Sequence, residues 1–388
     1  MRSLSILSLL LVLSKPALSQ SVAASNFNYW YNPQNDVELQ LHPVRTANKI
    51  MVRYTLIVRQ GNPSNYSITW EARNSFVENE GVPVVEKDSV LSVSGKDRRG
   101  FLVFNLPEKP WLLLAHVTNV DHLKRWTYFK QIESIYPVDG WIETSDGVIT
   151  ENHLSKNKEY TARSANGKPL IVSYYNTVFP PALPPFAEKE GRNERFFFHD
   201  SIFSIVDGGK FLPKKEGLYL FQEDTSAARG FSYRVVKENF PKFSKIDELV
   251  PPLILVTTPE EFNDLTSTKG EKTKFDKIIL SITGDKDRAR TFMKNFFRNV
   301  ELANIFFSSY KEGWKTDRGM LYLIFGLPDE VSKNAGNEIW TYKNRNNMRF
   351  TFVKSGSVYD PENYVLLRDK RFTDTWFSLV DLWRKARF

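Results

Sequence analysis

A change in the periodicity of apolar residues near residue 237 constrains the fold more than any other feature of the chain. Before it, short runs separated by Gly, Pro and Asn alternate apolar and polar side chains, as at residues 37–41. This alternation puts every second side chain on one face and predicts strands. After residue 237, apolar residues recur every three or four positions, which predicts amphipathic helices. We therefore expect a β-rich part followed by a helical part.

The predicted strands fall into two groups, which we interpret as two antiparallel β-sandwich modules of the immunoglobulin-like kind. The first module spans residues 20–135 and the second 136–237, with a strand predicted at 196–198. The Pro-rich stretch 179–186 interrupts the second module. Proline lacks a backbone N–H, so this stretch is predicted to be an extended surface loop, with a Pro-rich ligand for a partner as the alternative.

Residues 238–312 are predicted to form a helical connector. Thr258 and Glu261 have the spacing of a capping box, with proline at the first helical position, so a short helix should follow through residue 265. A stripe of apolar residues predicts one long amphipathic helix over 286–310, and a last helix is expected from about Thr373.

Residues 1–19 have the features of a secretory signal peptide. Arg2 precedes an apolar run at 4–13, and the small residues Ala17 and Ser19 lie where a signal peptidase cleaves. No later stretch is long and apolar enough to span a bilayer. We expect an exported chain that is periplasmic or extracellular, with a peripheral place at the outer membrane as one alternative.

Composition limits the chemistry. The chain has no cysteine, which excludes disulfides, thiolate metal sites and cysteine nucleophiles. Its net charge is +8, which in a cytoplasmic protein would suggest nucleic acid, but predicted export argues against that partner. An acidic envelope protein, an anionic glycan or an anionic lipid surface is the expected partner class.

Residues 313–330 carry the most specific motif, which reads GWKTDRGMLYLIFGLPDE and is followed by EIWTY at 338–342. This stretch resembles the GWxTD-domain family of bacterial exported proteins over residues 285–388, with Leu327 where that family typically has proline. The resemblance implies an envelope or secreted protein and brings no established activity. A similarity of residues 313–388 to the SmpA-like lipoprotein of barrel assembly implies a small α+β interaction domain.

Each motif residue has a predicted structural role. Gly313 is predicted to end the long helix and Trp314 to be buried. Thr316 is expected to cap the next element, with Asp317 near its positive end. The run at 320–325 is apolar throughout and leaves helix and strand open. The candidate binding residues are Gly313, Trp314, Thr316, Asp317, Arg318, Gly319, Gly326, Pro328, Asp329, Glu330 and Trp340.

The charged motif residues allow three interpretations. They can form a structural network in which Asp317 caps a helix and Arg318 pairs with Asp329 or Glu330. They can form a binding surface, or a carboxylate pair that catalyses hydrolysis. The five histidines have no metal-binding spacing, and no nucleophile elbow, phosphate loop or dinucleotide fingerprint is present, so we expect neither cofactor nor metal.

A non-enzymatic interaction or assembly module is the favoured function. One alternative is a hydrolase or carbohydrate-active enzyme that uses Asp317 or Glu330. Another is a glycan- or lipid-binding protein that uses basic residues near the end of the sequence. These are Arg368, Lys370, Arg371, Arg384, Lys385 and Arg387.

Overall fold

The computed structural model describes residues 20–86, 88–134, 138–188, 197–345 and 347–387. The predicted signal peptide, the predicted module boundary at residues 135 and 136, and residue 196 of one predicted strand lie outside them. The chain is a multi-domain, mostly β protein built from several antiparallel sheets with helices, as its periodicity predicts.

The first sheets form a sandwich. Its strands are β1 (Val37–Arg45), β2 (Lys49–Val58), β3 (Tyr66–Arg73), β4 (Val82–Pro83), β5 (Ser89–Ser94), β6 (Asp97–Asn105), β7 (Trp111–Asn119) and β8 (Arg125–Ile132). One antiparallel sheet has the order β1-β2-β6-β5 and the other β4-β3-β7-β8. Val52 and Leu102 from the first sheet share a core with Leu113 and Val117 from the second. The alternating side chains of both sheets thus face each other, as in a β-sandwich.

A second pair of sheets follows. Its strands are β9 (Gly140–Thr144), β10 (Gly147–Val148), β11 (His153–Ser155), β12 (Tyr160–Ser164), β13 (Leu170–Tyr175), β14 (Ser201–Ile205), β15 (Lys210–Phe211), β16 (Gly217–Gln222) and β17 (Phe231–Val236). Their orders are β10-β9-β12-β15 and β11-β17-β16-β13-β14. Ala162 and Phe211 from the first sheet share a core with Val172 and Phe221 from the second. One pair, β11 with β17, is parallel. The prediction that this module is antiparallel is therefore wrong for this pair.

The helical part begins after β17. The helices are α1 (Ile246–Leu249), α2 (Pro259–Ser267), α3 (Lys272–Thr283), α4 (Lys286–Phe307), α5 (Asp317–Phe325) and α6 (Thr373–Arg384). The capping box predicted for α2 is confirmed, because Thr258 and Glu261 bond reciprocally. Sequence analysis missed α3. The long helix ends at Phe307 rather than at residue 310, because Ser308 adopts extended backbone.

A small antiparallel sheet lies between α5 and α6. Its strands are β18 (Glu330–Lys333), β19 (Asn337–Tyr342), β20 (Met348–Lys354) and β21 (Tyr364–Leu366), in the order β18-β19-β20-β21. The EIWTY stretch at 338–342 lies in β19. The run at 320–325 is the helix α5; its residues 320–324 are buried on every face, which explains why periodicity alone left its type open.

The segment before β1 packs on this C-terminal sheet. The backbone N–H of Phe27 donates to the carbonyl of Val331 at 2.8 Å, and the amide oxygen of Asn26 accepts from the N–H of Val331 at 2.9 Å. Phe27 and Tyr31 belong to the same buried core as Trp314. Residues before β1, which sequence analysis assigned to the first sandwich, therefore help to complete the C-terminal core. None of the helices in the described ranges has the length and apolarity needed to cross a bilayer.

Candidate functional site

The first half of the motif is a 3-10 turn, Gly313–Lys315, that joins α4 to α5. The Trp314 side chain is buried, as predicted, and its backbone N–H donates to the amide oxygen of Asn304 at 3.2 Å. A β-carbon on Gly313 would lie 1.9 Å from the carbonyl oxygen of Ala303 on α4. Gly313 thus does not end the long helix as predicted; it lets the turn pack against the backbone of that helix.

Thr316 is the N-cap of α5, and its hydroxyl also bonds back to the 3-10 turn that precedes the helix. Its hydroxyl accepts from the N–H of Gly319 at 3.0 Å and donates to the carbonyl of Gly313 at 2.8 Å, so the predicted cap is present. A β-carbon on Gly319 would lie 1.8 Å from the same carbonyl oxygen of Gly313. The two glycines are therefore required by close backbone approach.

Asp317 fastens the start of α5 to the end of β21. Its Oδ1 pairs with Nη2 of Arg368 at 2.5 Å, and its Oδ2 accepts from the backbone N–H of Leu366 at 2.8 Å. The side chains of Asp317 and Arg368 are 10% and 2% exposed. Both carboxylate oxygens are therefore engaged inside the fold, which leaves Asp317 no free position from which to reach a substrate.

Arg318 does not pair with Asp329 or Glu330 as predicted. Its Nη1 lies 3.3 Å from Oε2 of Glu338, a side chain with no exposed surface. It also lies 3.5 Å from the hydroxyl of Tyr31. The reason is topological: α5 faces β19, and Glu338 lies on the inward face of that strand together with Trp340.

Glu338 is the centre of a buried polar network. Its carboxylate accepts from the Tyr31 hydroxyl at 2.7 Å and from the Trp340 indole N–H at 2.7 Å, and it pairs with Lys333 as well as Arg318. Sequence analysis missed Glu338 and Lys333. The available signal was the alternation of β19, which puts Glu338 on the same face as a tryptophan.

The pKa values show how the network is charged. Burial would raise the pKa of Glu338, but Lys333 and Arg318 lower it to about 2. Burial likewise opposes ionisation of Glu362, yet Lys130 and Lys354 lower its pKa to about 2. Burial would lower the pKa of Arg318, and the neighbouring Tyr31 and Glu338 raise it. Glu338, Glu362 and Arg318 are therefore charged at neutral pH.

The second half of the motif lies apart from Asp317 and Arg318. The Asp329 carboxylate accepts from the backbone N–H of Lys343 at 2.7 Å, and Glu330 pairs with the Lys343 ammonium at 2.6 Å with both side chains about half exposed. Gly326 ends α5 with φ +79°, and Pro328 follows it. The structure thus divides the predicted binding residues between two places.

Two cavities border this network. One of about 180 Å³ is lined by Arg318, Lys333 and Tyr364, with Lys130 from β8. A second of about 270 Å³ lies where both sandwiches meet the C-terminal part. It contains Asp360, whose pKa is raised by burial although Arg318 opposes the shift, and Glu362.

Metal ligation has no geometric support in the part of the chain that the structure describes, where no three His, Asp or Glu side chains are grouped to hold an ion. His116, the best-bonded histidine, contacts Glu71 at 2.8 Å and the hydroxyl of Thr127 at 3.0 Å. Both ring nitrogens are engaged, which fits a structural role within the first sandwich.

Residues 217–385 match the family profile of the GWxTD domain. This part of the chain is a GWxTD domain. The match begins at Gly217, the first residue of β16, well before the region that the motif alone suggested. No curated protein matches the chain. The similarity to the SmpA-like fold stays a prediction.

The Pro-rich stretch lies against the GWxTD domain. The N–H of Ala182 donates to the carbonyl of Lys315 at 2.9 Å, and Arg368 Nη2 donates to the carbonyl of Leu183 at 3.0 Å. The ring of Phe186 contacts that of Phe377 on α6 at 5.2 Å between centroids. This segment is therefore extended, as predicted, but it is held by the motif turn itself.

Several of the basic residues near the end of the GWxTD domain form ion pairs with acidic residues of the same chain. Arg384 forms a two-pronged pair with Glu261 at 2.6 and 2.7 Å, which joins α6 to α2. Arg368 is committed to Asp317. Lys370 and Lys385 make exposed pairs with Glu188 and Asp381. The basic cluster read from the sequence is therefore largely paired within the chain.

Proposed function

We propose that the protein is an exported, non-enzymatic binding protein of the cell envelope, and that its GWxTD domain presents the interaction surface to another envelope protein. The observation that carries the proposal is the engagement of the motif's polar groups. Asp317 bonds Arg368 and the Leu366 backbone, and Arg318 bonds Glu338. The motif therefore stabilises the fold of the domain, and a partner would be recognised by exposed surfaces elsewhere on it.

Glycoside hydrolysis by the motif lacks support in the geometry. That reaction needs one carboxylic acid that is protonated near neutral pH and one carboxylate. Glu338 has a pKa of about 2 and no exposed surface, and both oxygens of Asp317 are occupied. Glu330 is accessible, but it lies on the outer part of β18 in a half-exposed pair with Lys343. No such acid–base pair is present among the motif carboxylates.

The proposal is tested by photocrosslinking in producing cells. A photoreactive amino acid is placed at exposed apolar positions of the GWxTD domain, Ile305 and Phe377, and at matched positions of the sandwiches, Leu91 and Ile202. We expect one envelope protein to be captured from the GWxTD positions only. Capture from the sandwich positions alone, or none from any position, would overturn the assignment of recognition to the GWxTD domain.

Export is tested on the same strain. We expect the chain to leave the cytoplasm and to begin at Gln20 after cleavage behind Ser19. A chain that stays cytoplasmic with Met1 retained would contradict the exported half of the proposal, whatever the crosslinks give.

A hydrolase is a second candidate because of Asp360 and Glu362. These two carboxyl groups line the 270 Å³ cavity, and their surroundings push their pKa values in opposite directions. The purified chain is incubated with peptidoglycan and with soluble acidic glycans, and products are followed by mass spectrometry. Turnover that disappears in a folded Asp360→Asn variant would establish this candidate, and absence of products with both substrates would leave the binding function alone.

A further inference from the structure

An open groove crosses the helical part of the GWxTD domain between α1, α3 and α4. Its volume is about 1120 Å³. The apolar residues that line it are Ile246, Leu249, Phe275, Ile279, Leu280, Ala289 and Met293. Phe275 and Ile279 are buried beneath, whereas Leu280, Ala289 and Met293 are partly exposed to the groove. Within the described ranges no segment covers it. A surface of this kind is typical of interaction sites.

The rim of the groove is basic. The charged residues that line it are Lys245, Lys269, Lys272, Lys277, Lys286 and Arg290 with Asp247 and Asp276. Both acids are already paired, Asp247 with Lys237 outside the groove and Asp276 with Lys272. The remaining lysines of the rim make no ion pair with the described residues: Lys245, Lys269, Lys277 and Lys286. The groove therefore combines an apolar floor with surplus positive charge on its rim.

We propose that this groove binds an acidic amphipathic helix of the partner protein. The inference rests on the proposed binding function and names the chemistry of the partner. Two neighbouring helices leave a groove into which the ridges of a third can pack, and an amphipathic helix in such a groove buries its apolar face. Asp and Glu on its polar edges would meet the unpaired lysines.

The shape and length of the groove favour a helix over a single acyl chain. Small apolar ligands are usually enclosed over most of their surface, whereas this groove is open along its length. The helix α3 has 12 residues and so measures about 18 Å at 1.5 Å rise per residue. A ligand helix of about three turns would match it.

The experiment uses the mature chain, residues 20–388, and three synthetic 18-residue peptides. One is amphipathic with leucine on one face and glutamate on the other, one replaces every glutamate by lysine, and one is a scrambled acidic sequence. Fluorescence anisotropy measures binding. We expect the acidic amphipathic peptide to bind at least 10-fold more tightly than either of the others, and less tightly as salt screens the rim.

Matched variants locate the site. We expect Lys277→Glu and Lys286→Glu each to weaken binding of the acidic peptide several-fold. The controls Lys274→Glu and Lys294→Glu lie on the same helices outside the groove lining and should leave affinity unchanged. Leu280→Asp should remove binding while circular dichroism confirms the fold. Equal binding of the lysine peptide, or equal effects of the control variants, would overturn the proposal.

Vesicles separate the lipid alternative from the protein ligand. Binding to phosphatidylglycerol vesicles that is lost in Lys277→Glu, without peptide binding, would make the groove a lipid site and overturn the helix proposal. Failure of the peptide together with a crosslinked partner at Ile305 or Phe377 would retire the groove while the binding function stands. Peptide binding without any partner captured in cells would support the groove as a helix-binding site and would overturn the proposed binding function in the cell.

Discussion

The hydroxyl of Tyr31 donates a hydrogen bond to Oε1 of Glu338 at 2.7 Å, although the two residues are 307 positions apart in the sequence. The carboxylate it reaches has no exposed surface and is held by Arg318 of the motif. The segment before the first sandwich is therefore joined to the GWxTD motif through one buried carboxylate. This contact makes the stability of the GWxTD domain depend on residues that precede both sandwiches.

Removing the Tyr31 hydroxyl tests that dependence. We expect Tyr31→Phe to lower the free energy of unfolding by about 1–3 kcal/mol, because a buried acceptor loses a donor and water cannot replace it. Urea unfolding of residues 20–388 measures the change. Tyr364→Phe is the control, since its hydroxyl makes no hydrogen bond with the described residues. Equal losses in the two variants would contradict the role given to the Tyr31 hydroxyl.

Neutralising Glu338 should lower the free energy of unfolding more than Tyr31→Phe does. Glu338→Gln leaves Lys333 and Arg318 as buried cations without their carboxylate, and a broken buried ion pair costs about 3–5 kcal/mol. The measurement is the urea midpoint at pH 7. Glu330→Gln, in the half-exposed pair with Lys343, should leave the midpoint near that of the wild type. A larger effect from Glu330 than from Glu338 would show that the buried network does not hold the domain together.

Acid should unfold the protein through the same network. Glu338 and Glu362 have pKa values of about 2, below an unfolded value of about 4.3. A depressed folded pKa contributes stability that is present above the unfolded pKa and is lost as pH falls through the folded one. We expect the urea midpoint to drop steeply between about pH 4.5 and pH 2. In Glu338→Gln this part of the slope should be smaller, and an unchanged slope would contradict the assignment.

His42 should cause a separate loss of stability at less acidic pH. Burial, with Lys130 and Arg53 nearby, lowers its pKa to about 4. The unfolded chain therefore binds a proton that the folded chain excludes between about pH 6.5 and pH 4, so stability falls as pH falls through this window. The difference in unfolding free energy between wild type and His42→Gln should change across it and stay constant above pH 7.5. A difference that is flat from pH 4 to 8 would contradict the lowered pKa.

The two motif glycines should tolerate no side chain. We expect Gly313→Ala and Gly319→Ala each to destabilise the protein by about 1–3 kcal/mol, because the added methyl group would overlap a backbone carbonyl. Thermal unfolding measures the change. Gly336→Ala, where nothing lies within 4 Å of the new carbon, is the control and should keep the wild-type midpoint.

Local features could be predicted from the sequence because their causes lie within a few residues. The capping box of Thr258 and Glu261, the cap by Thr316 and the stop after Gly326 depend on groups three or four positions away. Alternation of apolar and polar residues, as at residues 37–41 in β1, indicates a strand for the same reason. The GWxTD domain could be recognised from the motif, since the string itself is specific.

Some local predictions were wrong because a distant partner decided them. Gly313 has the spacing of a helix end, but the helix stops at Phe307 and Gly313 is fixed by packing on Ala303. The Pro-rich segment is extended as predicted, but its composition did not indicate that Arg368 donates to the Leu183 carbonyl or that the N–H of Ala182 donates to the Lys315 carbonyl. The parallel pair of β11 and β17 has no signature in either strand alone.

The sequence by itself determined the β-to-helix order, the caps of α2 and α5, and the presence of a GWxTD domain. Only the tertiary structure decided that Arg318 pairs with Glu338, that Tyr31 completes their network and that the lysines of α3 and α4 surround one groove. The physical reason is that caps and periodicity arise from neighbours along the chain. A buried ion pair between distant residues forms only where sheet register and helix packing bring the charges together and exclude water.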